Sequence, residues 1–106
     1  MAAWEDTLRS LGDDGEALAK EFKTLAQQIR KDMSSFLQSE AERVKKLLAQ
    51  RANGEIRDNV LILLLKNEKL FVQQHLALIQ AQVEEQVEQK VTDGLLKAII
   101  KIIALL

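Results

Sequence analysis

The chain has almost nowhere to turn. Its 106 residues include no proline and only four glycines. Proline breaks helices, and glycine supplies the positive φ angles that tight β-turns need. A chain nearly free of both is directed toward a few long helices. Gly12, Gly54 and Gly94 therefore stand at the expected breaks between helices.

Hydrophobic spacing fills in the segments. Trp4, Leu8 and Leu11 stand at i, i+4, i+7, one stripe of a short helix over 2–11. Asp13 and Glu16 have the spacing of a capping box for the next helix. That helix is expected to run unbroken over 14–52, with Leu18, Phe22, Leu25, Ile29, Met33, Phe36, Val44 and Leu47 on one seam. The seam repeats every eleven residues, close to the natural helical period. Glu40 and Arg51 interrupt it, and Leu37, Ala41 and Leu48 shift the stripe sideways there.

Asn53-Gly54 reads as a C-cap and turn, followed by Glu55 and Asp58 in a first helical turn, where the dipole favours negative charge. A third helix is expected over 55–91, with Val72, Leu76, Ile79, Val83, Val87 and Val91 on one face. Within it, 60–65 is six apolar residues in succession and has no solvent face. A rival reading makes 60–65 and 70–78 a β-hairpin turned at 66–69, but the residues are mainly Leu and the turn lacks glycine. A hairpin turned at Asn53-Gly54 pairs residues whose numbers sum to about 107. Lys20 and Lys23 would then lie near Glu84, Glu85 and Glu88, Phe36 would face Phe71, and Val44 would face Leu63. Glu40 opposite Asn67 would form a polar layer that sets register.

The last segment, 94–106, reads as a separate helix capped by Thr92 and Asp93. Lys97 and Lys101 form one narrow polar line on it, and Leu and Ile cover the remaining arc of about 240°, far wider than the usual core stripe. Three readings follow: a core helix folding back on the hairpin, a shared face between subunits, or a helix lying on a lipid surface. At about 1.5 Å per residue it is too short to cross a ~30 Å hydrocarbon core.

Little in the chain suggests catalysis. Without cysteine there is no disulfide, thiol nucleophile or zinc thiolate site, which is compatible with a reducing cytosol. His75 is the only histidine and stands beside Gln73 and Gln74, with no Glu-x-x-His partner for a bundle metal site. No glycine-rich phosphate loop and no Ser–His–Asp arrangement is present. Fifteen basic and sixteen acidic residues leave a net charge of −1, so nucleic acid is not an expected partner. Neither a cofactor, a metal nor a small-molecule substrate is expected. The N-terminus has no basic and apolar signal-peptide regions, and a cytoplasmic location is the expectation.

In architecture, the hairpin plan resembles the secreted bacterial helical hairpins of the WXG type. Asn53-Gly54 stands where their Trp-x-Gly turn would be and Trp4 lies far from it, so no residue role carries over. The eleven-residue period is similar to that of lipid-droplet and apolipoprotein helices, over one helix only.

The resulting expectation is an all-α, non-enzymatic protein: a long antiparallel helical hairpin with a short N-terminal helix and an amphipathic apolar C-terminal helix. It would complete a bundle by self-association or with a helical protein partner. Val60, Leu63, Leu64, Phe71, Ile99, Ile100, Ile103 and Leu106 are the expected interface. The alternative is a lipid surface held through 95–106, with Lys97 and Lys101 at the headgroups.

Overall fold

The computed structural model describes residues 3–29, 33–81 and 86–106. Among these residues there are five helices and no strand: α1 (Trp4–Arg9), α2 (Asp13–Gln28), α3 (Ser35–Ala52), α4 (Asp58–Gln80) and α5 (Gln86–Leu105). The 60–78 region is thus helix within α4, and the β-hairpin reading falls.

The expected long helix over 14–52 is two helices. α2 ends at Gln28 with Ile29 in extended conformation, and α3 starts anew after Ser34, whose hydroxyl accepts from the Leu37 N–H at 3.4 Å. Ser34 is a proper N-cap, satisfying a donor that the helix itself leaves without a partner. The break lets α2 fold back against α1 and α5. A straight hairpin of 39-residue helices would be about 58 Å long; the molecule measures 42 Å along its longest axis.

The start of α2 also differs from expectation. Gly12, at φ +91°, is the N-cap, and Asp13 is already helical, so no Asp13–Glu16 capping box forms. The positive φ suits glycine alone. α1 is fastened to α3 by the buried Thr7, whose hydroxyl donates to the Leu48 carbonyl at 2.6 Å. Trp4 meets Phe22 edge-to-face at 5.3 Å.

α3 closes at Asn53, and Gly54 turns the chain at φ +76°. α4 then runs antiparallel to α3. Arg51 binds the Asp58 carboxylate at 2.8 Å and the Ser10 hydroxyl at 2.9 Å, joining two turns at one end. The Arg51 guanidinium holds the Asp58 carboxyl below its usual range. Numbers across this pair sum to 108–111, one to four beyond the expected 107. Phe36 accordingly stacks on His75 at 4.1 Å and not on Phe71. Val44 is fully buried while Leu63 points outward, so these two do not face each other either.

The expected helix over 55–91 ends at Gln80, and the expected break at 92–94 does not occur. Thr92 turns its hydroxyl back to the Glu88 carbonyl at 2.7 Å, a bond internal to α5. Gly94 is a point of close approach, not a helix end. A Cβ there would lie 2.8 Å from Cδ2 of Leu25 on α2. α5 thus lies between α2 and α4. Two helices of the same chain share its wide apolar arc, and Val91, Leu95, Ala98, Ile99 and Ile102 are all buried. Glu84 and Glu85 lie outside the described residues. Glu88 sits against the start of α3, where it accepts from the Ser34 N–H at 3.2 Å.

Candidate functional site: an apolar outer face and a buried polar layer

α4 buries one face and leaves a second apolar face in solvent. Leu61, Leu65, Val72, Leu76 and Ile79 point inward. About 140° round the helix, Val60, Leu63, Leu70, Phe71 and Leu78 point outward, with Leu63 63% and Leu78 68% exposed. Leu64 is half-buried at the edge of this stripe, and Asn67 and Gln74 are exposed within it. At 1.5 Å per residue the stripe is about 27 Å long. Monomeric proteins rarely expose contiguous apolar patches above a few hundred Å².

The expected interface residues divide into two groups. Val60, Leu63, Leu64 and Phe71 share the outer stripe of α4. Ile99 does not belong to any surface: it is fully buried between helices of its own chain, because α2 and α4 cover that side of α5. Ile100 is exposed, and Ile103 and Leu106 are half-buried and packed against the core. Leu70 and Leu78 were not singled out by sequence reasoning, although their seven-residue relation to Leu63 and Phe71 was there to be read.

Both lysines considered for lipid headgroups are already paired. Lys97 lies 2.9 Å from Asp93, one turn earlier, and Lys101 lies 3.3 Å from Glu21 on α2. Among the described residues no helix is long and apolar enough to cross a membrane.

A polar layer crosses the otherwise apolar interior between α3 and α4. Glu40 is fully buried and accepts from Nη2 of Arg43 at 2.8 Å. The same guanidinium lies with Nε 3.5 Å from Oε2 of Glu68 on α4. Glu40 is therefore matched with Glu68 and not with Asn67, its expected partner, which stands one residue and about a third of a turn away. Oε1 of Glu40 and Oε2 of Glu68 are buried without a hydrogen-bond donor of their own. Burial, more than the neighbouring Glu68, pushes the Glu40 carboxyl up to about 7, against the lowering effect of Arg43. A proton on Glu40 can be donated to the neighbouring Glu68 carboxylate. Two turns further along α4, His75 lies between the Ser34 hydroxyl, 3.4 Å away, and Glu88, at 3.7 Å. Among the described residues no group of three or more His, Cys, Asp or Glu side chains is placed to hold a metal ion.

The surface has shallow grooves, one of about 340 Å³ lined by Leu18, Glu21, Lys101 and Leu105. It presents one ion pair and an apolar floor, and no nucleophile. No family of proteins, curated protein or solved structure matches this chain.

Proposed function

We propose that this chain is a non-catalytic association module that pairs with a second copy of itself through the outer face of α4. The observation that carries the reading is the 27 Å stripe of exposed Leu, Val and Phe side chains, 39% to 68% accessible, on a helix whose other face already forms the core. Its apolar area is on the order of 500 Å² per copy, so a pair covers roughly 1,000 Å², the lower bound for a specific interface. At about 25 cal/mol per Å² this is a large enough term to oppose the entropy of association. A lipid surface is the weaker reading. The apolar arc of α5 is occupied by α2 and α4, and both of its lysines are in ion pairs.

The test is the solution mass by light scattering, with and without anionic phosphatidylserine vesicles, for the full chain and for Leu63→Glu/Leu70→Glu. Truncation before 94 is not usable, because it removes half of α5 and with it Leu95, Ile99 and Ile102 from the core. The expected result is a dimer that the double variant abolishes, with helical circular dichroism unchanged and vesicles ignored. A chain that stays monomeric at several hundred micromolar overturns the reading. So does a monomer that binds vesicles, which would favour the lipid surface.

A further inference from the structure

The outer face of α4 has its own period. Val60, Asn67 and Gln74 follow one another at seven-residue steps, and Leu63, Leu70 and Ala77 repeat them three places on. All six are exposed. Alternating three- and four-residue steps over three heptads are the seam of a left-handed two-helix coil, a geometry made for another helix and not for a lipid surface. Two amides in the seam would also be costly in hydrocarbon.

We infer that two copies join through α4 in parallel and in register, with Asn67 and Gln74 each meeting their own counterpart across the two-fold axis. The inference rests on the self-association reading and adds its geometry. In a parallel pair each seam position meets itself, so the amides can hydrogen-bond to one another while Leu63 and Leu70 form apolar layers. In an antiparallel pair, first positions of one heptad meet fourth positions of the other. Asn67 and Gln74 would then lie against Leu63, Leu70 or Ala77 in every register, with their amides unpaired inside the interface. Leaving such groups unsatisfied is the larger penalty.

The flanks fit the same arrangement. Leu64, Phe71 and Leu78 border the seam on one side, and Asn59, Lys66 and Gln73 border it on the other. Parallel pairing brings Lys66 beside Phe71 of the partner subunit. The lysine stem covers the ring and its ammonium reaches the ring face or solvent.

The chain has no cysteine, so single-cysteine variants label cleanly. Nitroxides on Asn59→Cys and, separately, on Gln80→Cys are read by pulsed electron paramagnetic resonance on the full chain. Both positions are exposed and lie at opposite ends of α4. A parallel pair gives two similar short distances, near 20 Å, for helices about 10 Å apart. In any antiparallel register the two axial offsets sum to about 63 Å, so at least one label pair lies beyond about 30 Å. Two short distances support the proposal. One long distance in a chain of dimeric mass overturns the parallel geometry and leaves self-association standing, whereas a monomeric mass removes both. In Asn67→Leu the distance distribution is expected to broaden or the mass to rise above that of a dimer. A variant unchanged in both would take the register-setting role away from Asn67.

Discussion

Glu40 on α3 and Glu68 on α4 bring their carboxyl groups together inside the protein, and one guanidinium, that of Arg43, serves both. The two carboxyls are desolvated while the Arg43 side chain is half-exposed, so a second negative charge is hard to hold there. The simplest resolution is a proton retained on Glu40 near neutral pH, which is the state that burial favours.

A direct consequence is that this protein should be more stable in mild acid than in mild base. The Glu40 carboxyl is raised in the folded state from 4.5 to about 7. Below the unfolded value the group is protonated in both states, and its contribution is fully present. As pH rises through 7 the folded state must lose the proton or unfold, and stability falls. The loss between pH 4.5 and pH 8 is expected to be on the order of 3 kcal/mol, read from urea denaturation midpoints across that range. Glu40→Gln mimics the protonated carboxyl and should flatten the slope. An equally steep slope in the variant would show that another group is responsible.

The break between α2 and α3 should depend on Ser34 and not on its neighbour. Ser34→Ala removes the acceptor for the Leu37 N–H and is expected to cost about 1 kcal/mol. Ser35 is exposed at the first helical position, so Ser35→Ala should change stability by no more than about 0.5 kcal/mol. Equal effects at the two sites would remove Ser34 as the cap that starts α3.

That break shows what could be read from sequence and what could not. The all-α class followed from the scarcity of glycine and proline, and the turn at Asn53-Gly54 from the need for a left-handed residue, which Gly54 supplies. The division of 14–52 was also encoded, but in a weaker signal. Leu18, Phe22 and Leu25 define one stripe and Leu37, Ala41, Val44 and Leu48 another, and their offset encodes two helices and not drift within one. The end of α4 at Gln80 has no local signal of that kind. There the burial of α5 between α2 and α4 decides, a tertiary effect that periodicity does not carry. The excess of apolar residues at 60–65 did show that α4 has two apolar faces. The same excess in 94–106 did not, because a 240° arc does not reveal how much of it the chain covers itself.

Gly15 and Gly94 should respond differently to the same substitution. A Cβ at Gly15 would run into the Leu8 carbonyl oxygen, which is backbone and cannot move without displacing α1. Gly15→Ala is therefore expected to cost several kcal/mol, in the upper range for single substitutions. At Gly94 the obstacle is the end of the Leu25 side chain, and alanine gains nearly 1 kcal/mol of helix propensity over glycine. The net change should lie within about 1 kcal/mol of zero. In Leu25→Ala/Gly94→Ala the two substitutions should couple favourably by about 0.5–1 kcal/mol, since the truncated leucine makes room for the new methyl. Strict additivity would show that α2 and α5 are not held apart by that contact.

Ile99 and Ile100 are adjacent and chemically identical, yet one belongs to the core and the other to the surface. Ile99 is buried between helices of its own chain, and Ile100 is 42% exposed. Ile99→Ala leaves a cavity where α5 meets its neighbours, and is expected to cost about 2–5 kcal/mol. Ile100→Ser places a hydroxyl in water, gives up part of one side chain's contact, and should cost less than about 1 kcal/mol. Both variants should keep the solution mass of the parent at concentrations where they remain folded, because the proposed seam lies on α4. If Ile100→Ser dissociated the protein while Ile99→Ala left its stability intact, α5 would be the contact surface, and the folding back of α2 that explains its burial would have to be abandoned.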